Sequence, residues 1–390
     1  MIIGIEAQRI FRKKKHGMDM VILEEIKQLQ LMDKKNQYYI FVKSGDDRCI
    51  HNTDNFNIVE IRCPSYPLWE QVALPLAIRK YHLDILHCTS NTAPLYCRVP
   101  IVLTLHDIIY LEKRTQSNQS LYQNLGWIYR KWIVPRIIHK CSKIITVSNF
   151  ELTNITRRFP HLPSNAICMI YNGYNSRFCT SDNLQEQALS SQICKKYAGT
   201  DGFLFFFGNT DPKKNTENTI LAYAHYLGQS KHRRKLLIGD FREHDLNTIL
   251  KKHHMENIRS SIILADYIPN TDMPHIYRNA FAVLYTSLRE SFGIPLIEAM
   301  ACGTPVVTGI TSSLPEIAGE KAAMCDVTKP EAIASLLLQL EVDSEYYQFQ
   351  KEWGLQRSKL FSWRRTAQQL LEVYESFSPS SHSTIPLRYR

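Results

Sequence analysis

The sequence predicts an α/β fold with two doubly wound parallel sheets, each in a domain of its own. Short apolar runs rich in β-forming residues alternate with segments whose apolar residues recur at helical spacing, which is typical of parallel sheets covered by helices. The chain has 390 residues, more than a single hydrophobic core usually holds. A polar segment at 178–202 separates two such series, and we expect the domain boundary there.

The composition is that of a globular protein without a membrane span. Hydrophobic residues make up 44% of the chain and charged residues 22%. No apolar run reaches about 18 residues, the length of a spanning helix. The N-terminus, MIIGIEAQRI, has neither a charged start nor a cleavage site, so we expect no signal peptide and a cytoplasmic location. The ten cysteines are scattered, without a CxxC pair or a histidine cluster, which indicates reduced thiols and no metal centre.

The chain is basic, with 47 lysine and arginine residues against 37 acidic ones and a net charge of +10. The basic residues are spread along the chain rather than concentrated, which favours an ordinary solvated surface. Attraction to an anionic membrane face or a phosphorylated substrate is the alternative. No helix-turn-helix, zinc-finger or RRM pattern accompanies the charge, so we expect no nucleic-acid partner.

The first half opens with a strand at Met1–Ile5, a loop from Glu6 to His16, and a helix over 17–31. Gly17 closes this loop, where it either approaches a ligand or simply starts the helix. Further strands are predicted at Tyr38–Val42, Asn57–Ile61, Ile85–His87 and Ile101–Leu105.

His106 and Asp107 come directly after the strand Ile101–Leu105. Site residues gather at the carboxyl ends of parallel strands. A core histidine that bonds to the backbone is the alternative for His106, and Asp107 is expected to orient the loop.

The segment Leu121–His139 predicts a long helix with several aromatic residues, which we expect to pack in the core. Alternatively, a face carrying Arg130, Lys131 and Arg136 lies on a membrane.

In the second half, the strand Phe203–Phe207 leads into a loop, GNTDPKKN, at 208–215. A glycine, a proline and the lysine pair Lys213-Lys214 between a strand and a helix suit a diphosphate, although two lysines are ordinarily just solvated surface. Two more strands follow, and the second of them, Ile262–Ala265, precedes a loop containing Tyr267 and Ile268.

The most informative stretch is LYTSLRESFGIPLIEAMACGTPVVTG, at 284–309. It predicts a strand, a loop, a helix from about Pro295 to Ala301, and a second strand at Pro305–Val307. Glu290 and Glu298 flank the backbone amides of residues 291–293 at the helix N-terminus, a position that suits a phosphate. Carboxylates accept hydrogen bonds from sugar hydroxyls, so this arrangement fits a nucleotide-sugar. The alternative is a solvated Glu290 and a Glu298 that only stabilises the helix.

The run ESFGIPLIEAMACGTPVV resembles the E-x7-E signature of the retaining GT-B glycosyltransferases of family 4 (glycosyl transferases group 1). ITVS at 145–148 and IYNG at 170–173 are similar to two further elements of that family. The resemblance implies a GT-B fold, in which two Rossmann-like domains face each other across a cleft. It also implies metal-independent transfer of a hexose from a nucleotide-sugar to an acceptor hydroxyl with retention of configuration.

In that family the first glutamate contacts the transferred sugar, the second contacts the ribose, and a basic pair holds the pyrophosphate. Lys214 matches the family lysine, Lys213 stands at an arginine position, and Asn209 replaces a second arginine, which departs from the family pattern. The resemblance therefore implies catalytic roles for His106, Glu290 and Lys214, and donor binding by Gly17, Gly208, Asn209, Lys213, Lys214, Tyr267, Ile268, Glu290, Ser291, Phe292, Gly293 and Glu298.

The implied organisation is an acceptor-side domain at 1–180, a donor domain at 200–360, a terminal helix at 361–377 that crosses back to the first domain, and a disordered tail at 378–390. The implied partners are a UDP-, GDP- or ADP-linked sugar and a glycan or lipid-linked acceptor of cell-surface polysaccharide or glycolipid biosynthesis. Peripheral association with the inner membrane face is a further hypothesis. Two alternatives stay open, a GT-B nucleotide-sugar epimerase and a non-catalytic basic protein that binds membrane or nucleic acid.

Overall fold

The computed structural model describes residues 1–13, 15, 17–112, 121–181 and 183–378, and no side chain at 121–123. The predicted tail beyond Ser378 and His16 of the first loop lie outside the described residues. The chain divides into two compact units, Met1–Gly173 with Trp363–Arg390, and Tyr174–Ser362. Each unit contains one parallel sheet, as the alternation of strands and helices predicted.

The first unit contains a seven-stranded sheet in the order β3-β2-β1-β4-β5-β6-β7. All its strand pairs are parallel. The order reverses between β1 and β4, so the loops after these two strands lie at the topological switch point, where α/β sheets bind ligands. The strands are β1 (Ile2–Glu6), β2 (Gln37–Val42), β3 (Phe56–Glu60), β4 (Ile85–Cys88), β5 (Ile101–Thr104), β6 (Lys143–Thr146) and β7 (Ile167–Met169).

Helices cover both faces of the first sheet, and alternate residues of a strand pack into the two hydrophobic clusters that result. Along β5, Ile101 and Leu103 join one buried cluster and Val102 joins the other. A π-helical turn at Trp69–Ala73 connects the second and third helices. The helices of this part are α1 (Gly17–Met32), α2 (Tyr66–Leu68), α3 (Leu74–Lys80), α4 (Leu121–Ile137) and α5 (Asn149–Arg158), with 3-10 turns at Ile109–Leu111, Ile138–Lys140 and Ser164–Ala166.

The second unit contains a six-stranded sheet in the order β10-β9-β8-β11-β12-β13, again with parallel pairs. Here the order reverses between β8 and β11. The strands are β8 (Phe203–Phe207), β9 (Leu236–Gly239), β10 (Ile262–Ala265), β11 (Ala280–Tyr285), β12 (Val306–Gly309) and β13 (Ala323–Cys325). The helices are α6 (Leu184–Tyr197), α7 (Thr216–Gln229), α8 (Glu243–Lys252), α9 (Met273–Asn279), α10 (Ile294–Ala301), α11 (Leu314–Ala318), α12 (Pro330–Val342) and α13 (Ser344–Ser358), with 3-10 turns at Pro212–Lys214 and Glu256–Ser261.

The change from the first unit to the second falls between Gly173 and Tyr174, earlier than the boundary expected at 178–202. Phe178 packs against Tyr277, with ring centroids 5.9 Å apart. The Arg278 guanidinium donates to the carbonyl oxygens of Arg177 at 3.0 Å and Cys179 at 2.6 Å. These contacts hold the polar segment on the second unit.

The last helix, α14 (Trp363–Glu375), belongs to the first unit. Its buried residues Ala367, Leu370 and Tyr374 share a hydrophobic cluster with residues of α1. The Tyr374 hydroxyl lies 2.7 Å from Nδ1 of His87, a buried residue of β4. Burial of the apolar side chains of α14 and the hydrogen bond of Tyr374 stabilise the return of the chain to the first unit after it has formed the second.

Within the described ranges, none of the helices combines the length and the apolar character needed to span a bilayer. None of the ten cysteines, all of which are described, forms a disulfide.

Candidate functional site

Two loops meet at the switch point of the second sheet. The first leaves β8 at residues 208–215, and the second leaves β11 at residues 286–293. Because β8 and β11 are parallel neighbours, both loops emerge at the same edge. The Leu288 N–H donates to the Lys213 carbonyl at 2.7 Å and ties the two loops together.

The loop after β8 is shaped by its own hydrogen bonds. Asn209 Oδ1 accepts from the Asp211 N–H at 2.8 Å, so this side chain closes a turn within the loop. Asp211 Oδ1 in turn accepts from the Lys213 N–H at 3.1 Å. Gly208 is required by packing, since a Cβ at this position would lie 2.4 Å from Cβ of Phe241. The loop is therefore held in shape before any ligand binds.

Asn215 anchors the end of this loop. It adopts left-handed backbone geometry with φ of 59°, which asparagine tolerates better than most residues. Its buried amide donates to the carbonyl oxygens of Thr286 at 3.1 Å and Val327 at 2.7 Å. This anchor fixes the backbone beside Lys214.

Lys214 and Glu290 form an ion pair across the two loops, with Nζ 2.6 Å from Oε1. Their side chains are 30% and 15% exposed, so the pair faces solvent in part. Lys213 lies instead beside Asp211, with Nζ 3.4 Å from Oδ2. Of the two lysines, only Lys214 pairs with a residue of the E-x7-E stretch.

The backbone around Glu290 is held by two serines that follow β12. The Glu290 N–H donates to Ser312 Oγ at 3.1 Å. Ser313 Oγ is fully buried and lies within donating distance of the Glu290 carbonyl, 3.0 Å, and the Phe292 carbonyl, 3.1 Å. The sequence alone indicates only a helix cap for this segment, because serines before an apolar helix ordinarily have that role. Their proximity to Glu290 depends on the pairing of β11 with β12.

Gly293 precedes α10 with φ of 110°, a region that strongly favours glycine. Phe292 is buried and packs edge-on against Phe361, with centroids 5.7 Å apart. These two residues set the entry of the chain into the helix, whose N-terminus carries a partial positive charge. Ser291, Phe292 and Gly293 thus connect Glu290 to the first turn of α10.

Glu298 lies on α10 and is half-buried. Burial raises the pKa of its carboxyl to about 8, and the charge of Arg177 acts in the opposite direction. Among the described residues no hydrogen bond to this carboxyl is found. The group is consequently available to a ligand, and its raised pKa favours the protonated form.

A cavity of about 100 Å³ lies at the carboxyl ends of β8 and β11. Its position beside Lys214 fits the phosphate-binding role predicted for the first loop. It is lined by Phe206, Phe207, Gly208, Asn209, Lys214, Asp240, Leu284, Tyr285, Thr286 and Ser287.

Tyr267 and Ile268 follow β10, two strands away from β8. The Tyr267 side chain is 61% exposed, whereas Ile268 is buried. Ile268 is thus a core residue that presents at most its backbone to a ligand. Neither residue lines the cavity beside Lys214.

His106 and Gly17 belong to the first unit. His106 is buried, and its Nε2 lies 3.0 Å from the Thr89 carbonyl oxygen, which makes Nε2 the protonated nitrogen and leaves Nδ1 as an acceptor. Burial lowers the pKa of the imidazole, so it is neutral at physiological pH. Gly17 is exposed at the start of α1, where a Cβ would meet no other group within 4 Å.

The support of His106 comes from residues that we did not identify from the sequence. Asn91 Oδ1 accepts from the His106 N–H at 2.6 Å. Thr89, whose carbonyl accepts from the ring, donates its own hydroxyl to the Glu6 carbonyl at 2.6 Å. As expected, Asp107 caps its loop, and its Oδ1 accepts from the Ile109 N–H at 3.1 Å. Glu6 ends β1 and Thr89 follows β4, so only the strand order reveals their contact.

No group of three or more histidine, cysteine, aspartate or glutamate side chains suited to a metal ion is found in the described part of the chain.

Two family models match the chain. "Glycosyltransferase Family 4" matches residues 17–178 and "Glycosyl transferases group 1" matches residues 195–356. Together the two matches cover most of both units.

Several glycosyltransferases are similar to part of the chain. The O-antigen chain mannosyltransferase B of Escherichia coli is 28% identical over 60% of this chain and 60% of its own length. A serotype-specific mannosyltransferase WbdA of the same species is 26% identical over 58% of this chain and 28% of its own length. The D-inositol 3-phosphate glycosyltransferase of Corynebacterium jeikeium is 34% identical over 29% of this chain and 28% of its own length. The chain thus spans less than two thirds of each of these relatives.

Solved structures resemble the chain over nearly its whole length. Anabaena HepE in complex with UDP-glucose has a TM-score of 0.71 at 17% identity, covering 96% of this chain and 100% of that one. Sucrose-phosphate synthase from Thermosynechococcus elongatus has a TM-score of 0.70 at 16% identity, covering 96% and 98%. At these identities the likeness shows a two-domain, Rossmann-like GT-B fold. With that fold and both family matches, the chain belongs to the GT-B glycosyltransferases of family 4, group 1.

Proposed function

We propose that the protein is a retaining hexosyltransferase that moves a sugar from a nucleotide-sugar to a hydroxyl of a glycan or lipid-linked acceptor. The product would enter cell-surface polysaccharide or glycolipid biosynthesis. One observation carries the proposal: Lys214 Nζ lies 2.6 Å from Glu290 Oε1 at the switch point of the second sheet. Glu290 belongs to the loop that leads into α10, the helix that bears Glu298.

In this proposal Lys214 binds and stabilises the leaving diphosphate. Its ammonium is already held at the carboxyl edge of β8 and β11, so an arriving phosphate needs to displace only the Glu290 carboxylate. A fixed cation stabilises the negative charge that develops on the leaving group. Backbone amides at the N-terminus of α10 add to this stabilisation.

Glu290, released from Lys214, accepts hydrogen bonds from the transferred sugar. Glu298 serves the ribose, because its half-buried carboxyl has no hydrogen-bond partner among the described residues and can both donate and accept when protonated. His106 would position the donor sugar through Nδ1, a role that rests on the family resemblance and is supported by the neutral state of the ring.

Transfer with retention breaks the bond between the anomeric carbon and a diphosphate oxygen and forms a bond to the acceptor oxygen on the same face. Among the residues that the structure describes beside Lys214 and Glu290, we identify no covalent nucleophile. We therefore propose a front-face reaction in which the leaving diphosphate oxygen takes the proton of the acceptor hydroxyl. Lys214 would supply the positive charge without a metal ion, and activity should accordingly persist in the presence of EDTA.

The sugar is proposed from the relatives. Two of them bear the names of mannosyltransferases, so mannose is the first sugar to test. UDP-, GDP- and ADP-linked donors are all compared, because Ile268 is buried and Tyr267 lies apart from the cavity, and neither side chain indicates the base. A cytoplasmic location, where nucleotide-sugars are made, is part of the same proposal.

The test is a transfer assay with the purified full chain, GDP-mannose, UDP-glucose or ADP-glucose, and lipid-linked glycan acceptors. We expect one donor to yield a product in which the sugar is joined to the acceptor with the anomeric configuration of the donor, read by NMR. Glu290→Gln should abolish transfer without lowering the melting temperature. Inversion of configuration would contradict retention, and an epimerised nucleotide-sugar without transfer would contradict a transferase.

A further inference from the structure

The exposed large apolar side chains of the first unit are concentrated on a few segments. Among its described residues, all but one of the exposed large hydrophobic side chains lie on three segments, and the exception is Leu31. The set comprises Leu68, Val72 and Leu76 on the α2–α3 helical segment, Tyr96 on a loop, and Leu125, Ile128 and Trp132 on α4. We call these seven residues the apolar face.

Within each of the two helical segments, the spacing of the exposed residues places them on one face of the helix. Leu68, Val72 and Leu76 recur every four residues, and Leu125, Ile128 and Trp132 recur at intervals of three and four. Other residues of the same helices, such as Leu74 and Ile133, are fully buried. Each helix therefore packs on the core by one face and presents a second apolar face to solvent.

A buried polar network joins the three segments. Gln71 Nε2 donates to the Tyr129 hydroxyl of α4 at 2.8 Å, and Gln71 Oε1 accepts from the Leu95 N–H at 2.8 Å. The carboxylate of Glu70, which is fully buried, accepts from the hydroxyls of Tyr66, Thr92 and Tyr129. Shared hydrogen bonds thus hold together the three segments that bear the apolar face.

The exposed charged side chains on the three segments that bear the apolar face are all basic. In residues 66–80, 94–100 and 121–140 the only acidic residue is Glu70, which is buried. The guanidinium of Arg136 lies 4.6 Å from the Trp132 ring centroid. Exposed basic residues on these segments are Arg79, Lys80, Arg98, Lys131, Arg136 and Lys140.

We propose that the apolar face docks on the surface of an anionic phospholipid bilayer. Apolar and aromatic side chains enter the headgroup boundary while lysines and arginines neutralise lipid phosphates, which is how amphipathic helices bind membranes. Exposed carboxylates, which would be repelled there, are absent from all three segments. Segments that expose basic but no acidic side chains complement a surface of uniform negative charge better than a protein surface of mixed charge. The inference does not depend on the sugar or on the nucleotide.

The experiment is vesicle flotation of the purified full chain with phosphatidylcholine alone and with phosphatidylcholine containing phosphatidylglycerol. We expect binding to the anionic vesicles that weakens as salt is raised. Val72→Ser with Trp132→Ser, and separately Lys131→Glu with Arg136→Glu, should each lower partitioning by about tenfold or more. Leu31→Ser is the matched control, since Leu31 is 71% exposed on α1 outside the apolar face.

Melting temperatures of the variants establish that they fold. Failure of the wild type to float with anionic vesicles at low salt would overturn the proposal, as would variants that bind like the wild type. Sedimentation equilibrium distinguishes the remaining occupant: self-association lost in Val72→Ser with Trp132→Ser, without vesicle binding, would assign the face to a second copy of the chain.

Discussion

Lys214 Nζ lies 2.6 Å from Glu290 Oε1, although the two residues are 76 positions apart in the chain. Each comes from a loop that leaves one of two adjacent parallel strands, and each loop is fixed by neighbouring hydrogen bonds. The ammonium that we propose for the diphosphate and the carboxylate that we propose for the sugar hydroxyls are therefore held together in the absence of a ligand. In a partly exposed pair the stabilisation is about 1 kcal/mol or less, so the arrangement matters for binding more than for folding.

Lys214→Met should lower kcat/KM by about a hundredfold or more, the usual cost of removing one group that stabilises developing charge. The melting temperature should change little, because the ion pair is partly exposed. Lys213→Met is the matched control. Since Lys213 pairs with Asp211 instead, its loss should be much smaller, and an equal loss in both variants would contradict the assignment.

Ser313→Ala should lower transfer activity about tenfold and destabilise the fold by about 1–3 kcal/mol, because the Phe292 carbonyl loses a buried hydrogen bond. The Glu290 carbonyl then keeps the Arg289 Nη1 donor at 3.2 Å but loses the Ser313 hydroxyl. Ser358→Ala is the control, since Ser358 is equally buried but bonds within its own helix to the Leu355 carbonyl. Chemical denaturation and steady-state kinetics measure the two effects. A Ser313→Ala enzyme with unchanged kcat would show that this serine is merely structural.

The pKa of Glu298, raised to about 8 by burial, predicts a pH dependence of stability. The folded state holds the proton more tightly than the unfolded state, where the pKa is about 4.5. The stabilisation is therefore complete below about pH 4.5 and is lost as pH rises through 8. Melting temperatures of the wild type should fall over this range more steeply than those of Glu298→Gln. Parallel curves for the two proteins would refute the shift.

The pKa of His87 is lowered to about 3 by burial, which predicts sensitivity to acid. The imidazole of the unfolded state binds a proton near pH 6.5, whereas that of the folded state stays neutral until about pH 3. The free energy of unfolding therefore declines as pH falls below 6.5. His87→Gln should flatten this decline. It should also destabilise the fold by about 1–3 kcal/mol at pH 8, because the hydrogen bond to Tyr374 that helps to hold α14 is disturbed. A variant that retains the wild-type slope between pH 7 and 5 would contradict this prediction.

Local sequence patterns were sufficient to predict most of the fold. The apolar runs predicted the main strands, and the stretch at 284–309 predicted β11, α10 and β12 with their bounds nearly correct. Strand and helix periodicity are properties of neighbouring residues, and the E-x7-E pair lies within one strand–loop–helix unit. That is why these features could be predicted without coordinates.

Contacts between distant segments could not be predicted. Nothing in the sequence indicates that Ser313 reaches the Glu290 carbonyl or that Glu6 accepts from Thr89, because both contacts depend on strand order. The predicted role of Gly208 is donor binding, whereas its small size is also required by Phe241. Helix α4 was expected to pack in the core, and it does so through Ile133, yet Trp132 beside it is exposed. An aromatic residue satisfies either environment, so composition alone could not separate the two faces.

The most direct test of the donor site is calorimetric titration of UDP, GDP and ADP into the purified full chain and into Lys214→Met. We predict saturable binding of one nucleotide to the wild type, weakened about tenfold or more in the variant, since charge-assisted bonds to phosphate contribute about 1.5–3 kcal/mol. Binding of equal strength to both proteins, or no binding of any of the three nucleotides, would contradict the claim that the loop at 208–215 and the loop–helix segment at 290–298 hold a nucleotide-sugar.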